Sequence, residues 1–163
     1  LRDGDGVHIF PSDDLTFWRV LLEGPPDSPF AGGVFVLRVR IPDNYPFSAP
    51  DVTFETPVYH CNVSETGFMC LFQGALFEPL NSWGPSLTVP KILQAVRDLM
   101  KKPDTDNALR SWLAELTRAE GMQLLPGELC SKGTDTRYSD EAKKQTVLHA
   151  SKTVDEWRKE WSC

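Results

Sequence analysis

The stretch that decides the fold is residues 59–85, Tyr59-His60-Cys61-Asn62-Val63-Ser64-Glu65-Thr66-Gly67-Phe68-Met69-Cys70-Leu71-Phe72-Gln73-Gly74-Ala75-Leu76-Phe77-Glu78-Pro79-Leu80-Asn81-Ser82-Trp83-Gly84-Pro85. A lone cysteine is ordinarily a small buried hydrophobe. Cys70 differs in its company. It follows the glycine of Gly67-Phe68-Met69, sits among apolar neighbours, and has the Asn62 amide a short loop upstream. The segment reads as a thiol active site.

Toward the N-terminus, residues 17–23 are β-branched and aromatic and end at the turn Gly24-Pro25-Pro26, which makes them a strand. Residues 34–41 alternate: Phe35, Leu37, Val39 and Ile41 share a buried face, and Val34, Val36, Arg38 and Arg40 share a partly wet one. Val52 and Phe54 repeat the pattern in a third strand, and the short connections imply an antiparallel meander.

Toward the C-terminus, Thr88 can cap a helix with Pro90 in its first turn, where no helical partner is lost. Ile92, Leu93, Val96, Leu99 and Met100 fall on one face, and Pro103 stops the helix after Lys101-Lys102. A shorter helix is expected over residues 108–116, an irregular connection over 121–133, and a long final helix capped by Ser139. The stripe Val147, Ala150, Val154, Trp157 and Trp161 of that last helix should pack on the domain. Strands first and helices later give an α+β layer with helices against one side of an antiparallel sheet.

With 163 residues, 40% hydrophobic and 25% charged, the chain suits one domain over residues 1–163 with its own core. A formal net charge of −6 argues against a nucleic-acid binder, which would show a basic face. No apolar run has membrane-spanning length and the first residues lack the core of a signal peptide, so a cytoplasmic or nuclear location is expected. The four cysteines are expected to be reduced. No second close pair of ligands completes a metal site around His60, Cys61 and Cys70. Gly32-Gly33 lacks the Lys and Ser/Thr of a phosphate loop, so no cofactor is expected.

In order and spacing the chain resembles the ubiquitin-conjugating enzyme family. The matching pieces are Gly24-Pro25-Pro26 through Phe30, Gly32-Gly33-Val34-Phe35, Tyr45-Pro46-Phe47 before Ala49-Pro50, His60-Cys61-Asn62 for the His-Pro-Asn signature, Cys70, and Trp83-Gly84-Pro85 with Leu87-Thr88 opening a helix. The resemblance implies a four-stranded antiparallel meander with packed helices. It also implies that Cys70 accepts ubiquitin or a ubiquitin-like modifier as a thioester from an activating enzyme and passes it to a substrate lysine, usually with a RING-type ligase.

By the same resemblance Asn62 is the residue that stabilises the oxyanion, although bracing of its loop by backbone hydrogen bonds is the competing role. His60 and Cys61 are structural members of the active-site loop. Asn107, or Asp106 just before it, is the residue that gates and desolvates the attacking lysine. Phe47, Pro85 and Ser86 are the ligase-binding positions.

Three departures accompany the match. The segment before Phe17 is short and unperiodic where relatives carry a helix, so the family N-terminal helix is expected to be absent. Cys61 replaces the proline of the signature, removing a φ restraint. Twelve residues separate Cys70 from Trp83, about five more than in relatives without a long loop. The extra length carries Phe72, Leu76, Phe77 and Leu80. Two rival readings stand beside the enzyme: an inactive conjugating-enzyme-like scaffold that binds modifiers or partners, and a redox sensor using Cys61 and Cys70.

Overall fold

The computed structural model describes residues 5–13, 15–74, 76, 78–121 and 136–162. Four strands, β1 (Val7–Pro11), β2 (Phe17–Glu23), β3 (Val34–Arg40) and β4 (Asp51–Phe54), form an antiparallel sheet in the order β1-β2-β3-β4. The helices α1 (Val89–Lys101), α2 (Ser111–Gly121), α3 (Arg137–His149) and α4 (Val154–Trp161) follow. This is the α+β meander the sequence leads one to expect. The expected connection over 121–133 falls outside the described residues, apart from Gly121 at the end of α2.

Alternation along each strand sorts the side chains onto two faces. Val20 and Leu22, Phe35, Leu37 and Val39, and Val52 and Phe54 point inward with Val7, where they meet Ile92, Leu93, Val96 and Leu99 of α1 in the main core. α1 is amphipathic as its spacing predicts. Thr88 occupies its N-cap with extended backbone but makes no side-chain capping bond. β1 comes from a segment that looked unperiodic. Its register, Val7↔Leu22 to Pro11↔Trp18, places Val7 and Ile9 inward and Phe10 on the opposite face.

The expectation that helices lie against one side of the sheet is corrected, as is the single long final helix. α3 starts from Thr136 rather than Ser139, and Val147 is 73% exposed instead of packed. The helix ends at Ala150, whose carbonyl accepts from Val34 N at 2.9 Å. The chain then restarts at Thr153 in a capping box. Thr153 Oγ1 accepts from Glu156 N, and the Glu156 carboxylate accepts from Thr153 N at 2.7 Å. This break lets α4 cross to the outer face, where Val154, Trp157 and Trp161 cover Leu21, Val34 and Val36 beside Phe10. Helices therefore occupy both faces of the sheet. The second expected helix lies a few residues further on, at Ser111–Gly121 rather than 108–116. Among the described residues no helix is long and apolar enough to cross a membrane.

Candidate active site

After β4 the chain turns through Tyr59-His60-Cys61-Asn62 and runs back beside the sheet edge to Cys70. Phe54 N donates to Gly67 O at 3.0 Å, and Thr53 bridges Phe68. Gly67 has φ +82°, and a Cβ there would fall on the Phe54 carbonyl oxygen, so this backbone approach requires glycine. Met69 is buried in the main core and anchors the segment from below. Cys70, next in the chain, is half-buried, unpaired with any other cysteine, and makes no hydrogen bond among the described residues.

Cys61 is its opposite. Its side chain is fully buried in a small cluster with Leu113, Ala114 and Tyr138, with Sγ 3.4 Å from Asn62 Oδ1. Burial pushes its thiol up to about 11. Its carbonyl accepts from Leu109 N at 2.8 Å and from Arg110 N at 3.0 Å. A cysteine in the proline position thus fills a pocket against α2 and α3, and the loop is held through the Cys61 carbonyl.

His60 is also fully buried. Nδ1 accepts from Asn62 N at 3.1 Å, which puts the proton on Nε2, and Nε2 donates to Leu99 O at 3.0 Å. Desolvation lowers its pKa to about 4. The ring is therefore neutral at pH 7 and ties the active-site loop to the end of α1.

The Asn62 side chain is engaged at every face that can bond. Nδ2 donates to Asp104 O at 2.7 Å and to Asn107 O at 3.1 Å, while Oδ1 accepts from Asp104 N at 2.9 Å. Both amide hydrogens thus serve the loop, which is the bracing geometry. Asn107 is exposed, with Nδ2 donating to Asp104 Oδ2 at 3.0 Å. Asp106 is exposed too and pairs with Arg118 at 3.0 Å.

Two residues that sequence reasoning passed over organise the 104–107 segment. Asp104 Oδ1 accepts the backbone N–H groups of Asp106 and Asn107, an Asx-type turn that its place at the head of Asp-Thr-Asp-Asn could have signalled. Arg118 of α2 reaches back to Thr105 O at 2.6 Å and to Asp106. Nothing local in the sequence announces that reach.

Phe47 is 81% exposed, and Pro85 and Ser86 are exposed as well. The two loops are brought together by Trp83, whose Nε1 donates to Pro46 O at 3.0 Å and whose ring meets Tyr45 and Phe72. Residues 72–74 pair with residues 80–81: Phe72 N donates to Leu80 O at 2.7 Å and Gly74 N to Asn81 O at 2.6 Å. Leu76 and Leu80 are buried in the main core, and Phe72 packs against it. Phe77 lies outside the described residues.

The structure thus joins His60, Cys61 and Asn62 to residues 104–110, and Phe47 to Pro85 through Trp83. No hydrogen bond among the described residues links Cys70 to Asn62 or Asn107. A profile of the ubiquitin-conjugating enzyme family matches residues 2–124, about three quarters of the chain. The chain belongs to that family, whose members work with ubiquitin, activating enzymes and ligases.

Proposed function

We propose that this protein is an active conjugating enzyme that carries ubiquitin or a ubiquitin-like modifier on Cys70. The observation that supports this reading is the contrast between the two described thiols. Cys70 is part exposed on a backbone fixed by Gly67 and Met69, whereas Cys61 is sealed in a side core with its thiolate disfavoured.

In the first step the Cys70 thiolate attacks the thioester carbonyl that links the modifier's C-terminus to the activating enzyme. The bond to that enzyme's sulfur breaks and one forms to Cys70. A substrate lysine, as the free amine, then attacks the same carbonyl. The C–N bond forms, the C–S bond breaks, and the amine loses its proton. Desolvation beside Asn107 and Asp106 favours the neutral amine. Asn62 contributes by holding residues 104–107 against the His60–Asn62 turn, since both of its amide hydrogens are already engaged. Phe47, Pro85 and Ser86 offer an exposed anchor for a RING-type ligase, and work in the cytoplasm or nucleus suits such partners.

The test is to mix the protein with ATP and a panel of modifiers, each with its activating enzyme, and to run nonreducing gels. Cys70→Ala should abolish the reductant-sensitive adduct, while Cys61→Ala and Cys130→Ala should retain it. An adduct that persists without Cys70 would overturn the assignment. No adduct with any modifier would favour the inactive scaffold.

A further inference from the structure

Behind the active-site turn lies a cavity of about 210 Å³. Pro57, Val58 and Tyr59 supply its apolar lining, and Glu65, Arg110 and Gln145 its polar lining. Val58 is buried in the main core, Arg110 immediately precedes α2, and Gln145 lies on α3. The cavity therefore touches three parts of the fold that meet beside Cys61.

Arg110 is the group in it that the fold leaves unsatisfied. Its backbone is well engaged: N donates to Cys61 O at 3.0 Å, and its carbonyl accepts from Leu113 N at 3.1 Å and Ala114 N at 3.2 Å. Its half-buried side chain makes no hydrogen bond or ion pair among the described residues, and Nε is buried without a partner. The neighbouring acids do not serve it. Glu141 accepts from Gln145 Nε2 at 2.7 Å and pairs with Lys144 at 3.5 Å. Glu65 is exposed and lines the same cavity, yet it forms no ion pair with Arg110. A guanidinium drawn partly out of water and given no acceptor is costly, and an anion in the cavity would offset that cost.

We infer that this cavity binds a small monocarboxylate, with the carboxylate paired to the Arg110 guanidinium and a short apolar group against Val58 and Tyr59. The parallel N–H groups of a guanidinium match the two oxygens of a carboxylate. Gln145 has a second amide hydrogen to offer beside the one it gives Glu141. Glu65 sets the charge of the ligand: with one cation and one carboxylate in the lining, a single negative charge is accepted and a dianion such as phosphate is disfavoured. The volume lies below the roughly 300–1,000 Å³ of pockets for drug-sized molecules, so the occupant is an acid of a few carbons. Because Arg110 N holds the Cys61 carbonyl and Tyr59 begins the same turn, a bound acid would brace that turn against α2 and α3. Free organic acids and the C-terminal residue of a peptide both carry this chemistry. The site does not depend on the proposed function, since binding needs no thioester.

The test titrates the full chain at constant ionic strength with butyrate, with a short peptide ending in valine, with the same peptide amidated, and with inorganic phosphate. Binding is read from the Arg110 Nε–H, Gln145 and Tyr59 resonances and from thermal melts. Butyrate should shift those resonances saturably with a dissociation constant of about 1–10 mM and raise the melting temperature. Phosphate should bind about tenfold more weakly. Binding of the free-acid peptide but not the amidated one would add chain termini to the ligands, and butyrate binding alone would confine them to free acids; the carboxylate site stands in both cases. Arg110→Gln should weaken butyrate about tenfold or more, and Arg110→Lys should keep part of the affinity. Glu65→Gln, at an exposed position, should tighten butyrate about threefold and bring phosphate close to it. No saturable shift with either carboxylate would overturn the inference. So would phosphate binding the parent chain as tightly as butyrate, or a butyrate affinity that stays the same in Arg110→Gln and Glu65→Gln.

Discussion

Asn62 and Asp104 hold each other reciprocally: the Asn62 amide donates to the Asp104 carbonyl at 2.7 Å, and Asp104 N–H donates back to Asn62 Oδ1 at 2.9 Å. The pair closes the active-site loop onto the segment after α1, and the Asp104 carboxylate passes the restraint on to Asn107. Removing Asn62 leaves a backbone donor and two carbonyls without their partner.

Asn62→Ala should therefore cost about 2–3 kcal/mol of stability by urea unfolding. Discharge to free lysine should fall more than loading. Asp104→Ala keeps the backbone bonds to Asn62 but releases Asn107, so it should reproduce part of the discharge defect with a smaller loss of stability. A normal discharge rate in Asp104→Ala would mean that the brace does not act through the gate.

His60 gives the protein a pH signature. The unfolded chain protonates the ring near 6.5, whereas the folded one resists to about 4, so the unfolded state binds more protons between those values. Stability from this group is full above pH 6.5 and is lost progressively as pH falls toward 4, about 3 kcal/mol in all. Urea melts should lose about 2 kcal/mol from this source between neutral pH and about pH 5. His60→Gln should show a flatter slope. An imidazole resonance of His60 that titrates near 6.5 in the folded protein would contradict the geometry.

Trp83 joins the two exposed loops, so its effect should separate from that of Phe47. Phe47→Ala removes a side chain that touches little, and stability should stay within about 0.5 kcal/mol while stimulation by a cognate RING ligase falls. Trp83→Phe loses the bond to Pro46 O and part of the packing on Tyr45 and Phe72. It should lower both the melting temperature and ligase stimulation. Unchanged ligase response in both variants would place the ligase elsewhere.

Much of this was legible in the sequence wherever a side chain's neighbours are also its chain neighbours. Phe35, Leu37 and Val39 and the helical stripe from Ile92 to Met100 each name a buried face that the structure keeps, whereas Val34 and Val36, expected on the partly wet face, are buried beneath α4. β1 was hidden because only Val7 and Ile9 alternate before Pro11, too few to stand out beside Gly4 and Gly6. The break between α3 and α4 was readable in Thr153-Val154-Asp155-Glu156, a capping box that the apolar stripe across it masked. The Arg118 clamp and the burial of Cys61 are long-range, set by how α2 and α3 pack, and no local pattern encodes them.

The loop over residues 71–82 shows how packing changes an expectation. Its large hydrophobes would form an exposed patch unless they meet the domain, and Leu76 and Leu80 do meet it, with Leu80 fully buried. Shortening the loop to the family's usual length therefore removes core side chains along with surface, and it should cost stability as well as alter discharge. Leu80→Ala isolates the packing effect and should destabilise by about 2–5 kcal/mol, since the cavity opens within the main core beneath a loop that its neighbours hold in place. Gln73→Ala, on an exposed side chain of the same loop, should leave the melting temperature within a degree or so. Comparing the two by thermal melt and by single-turnover discharge separates the packing role of the loop from any effect of its exposed side on transfer. A Leu80→Ala protein as stable as the parent would mean that the loop rests on the domain without contributing to it.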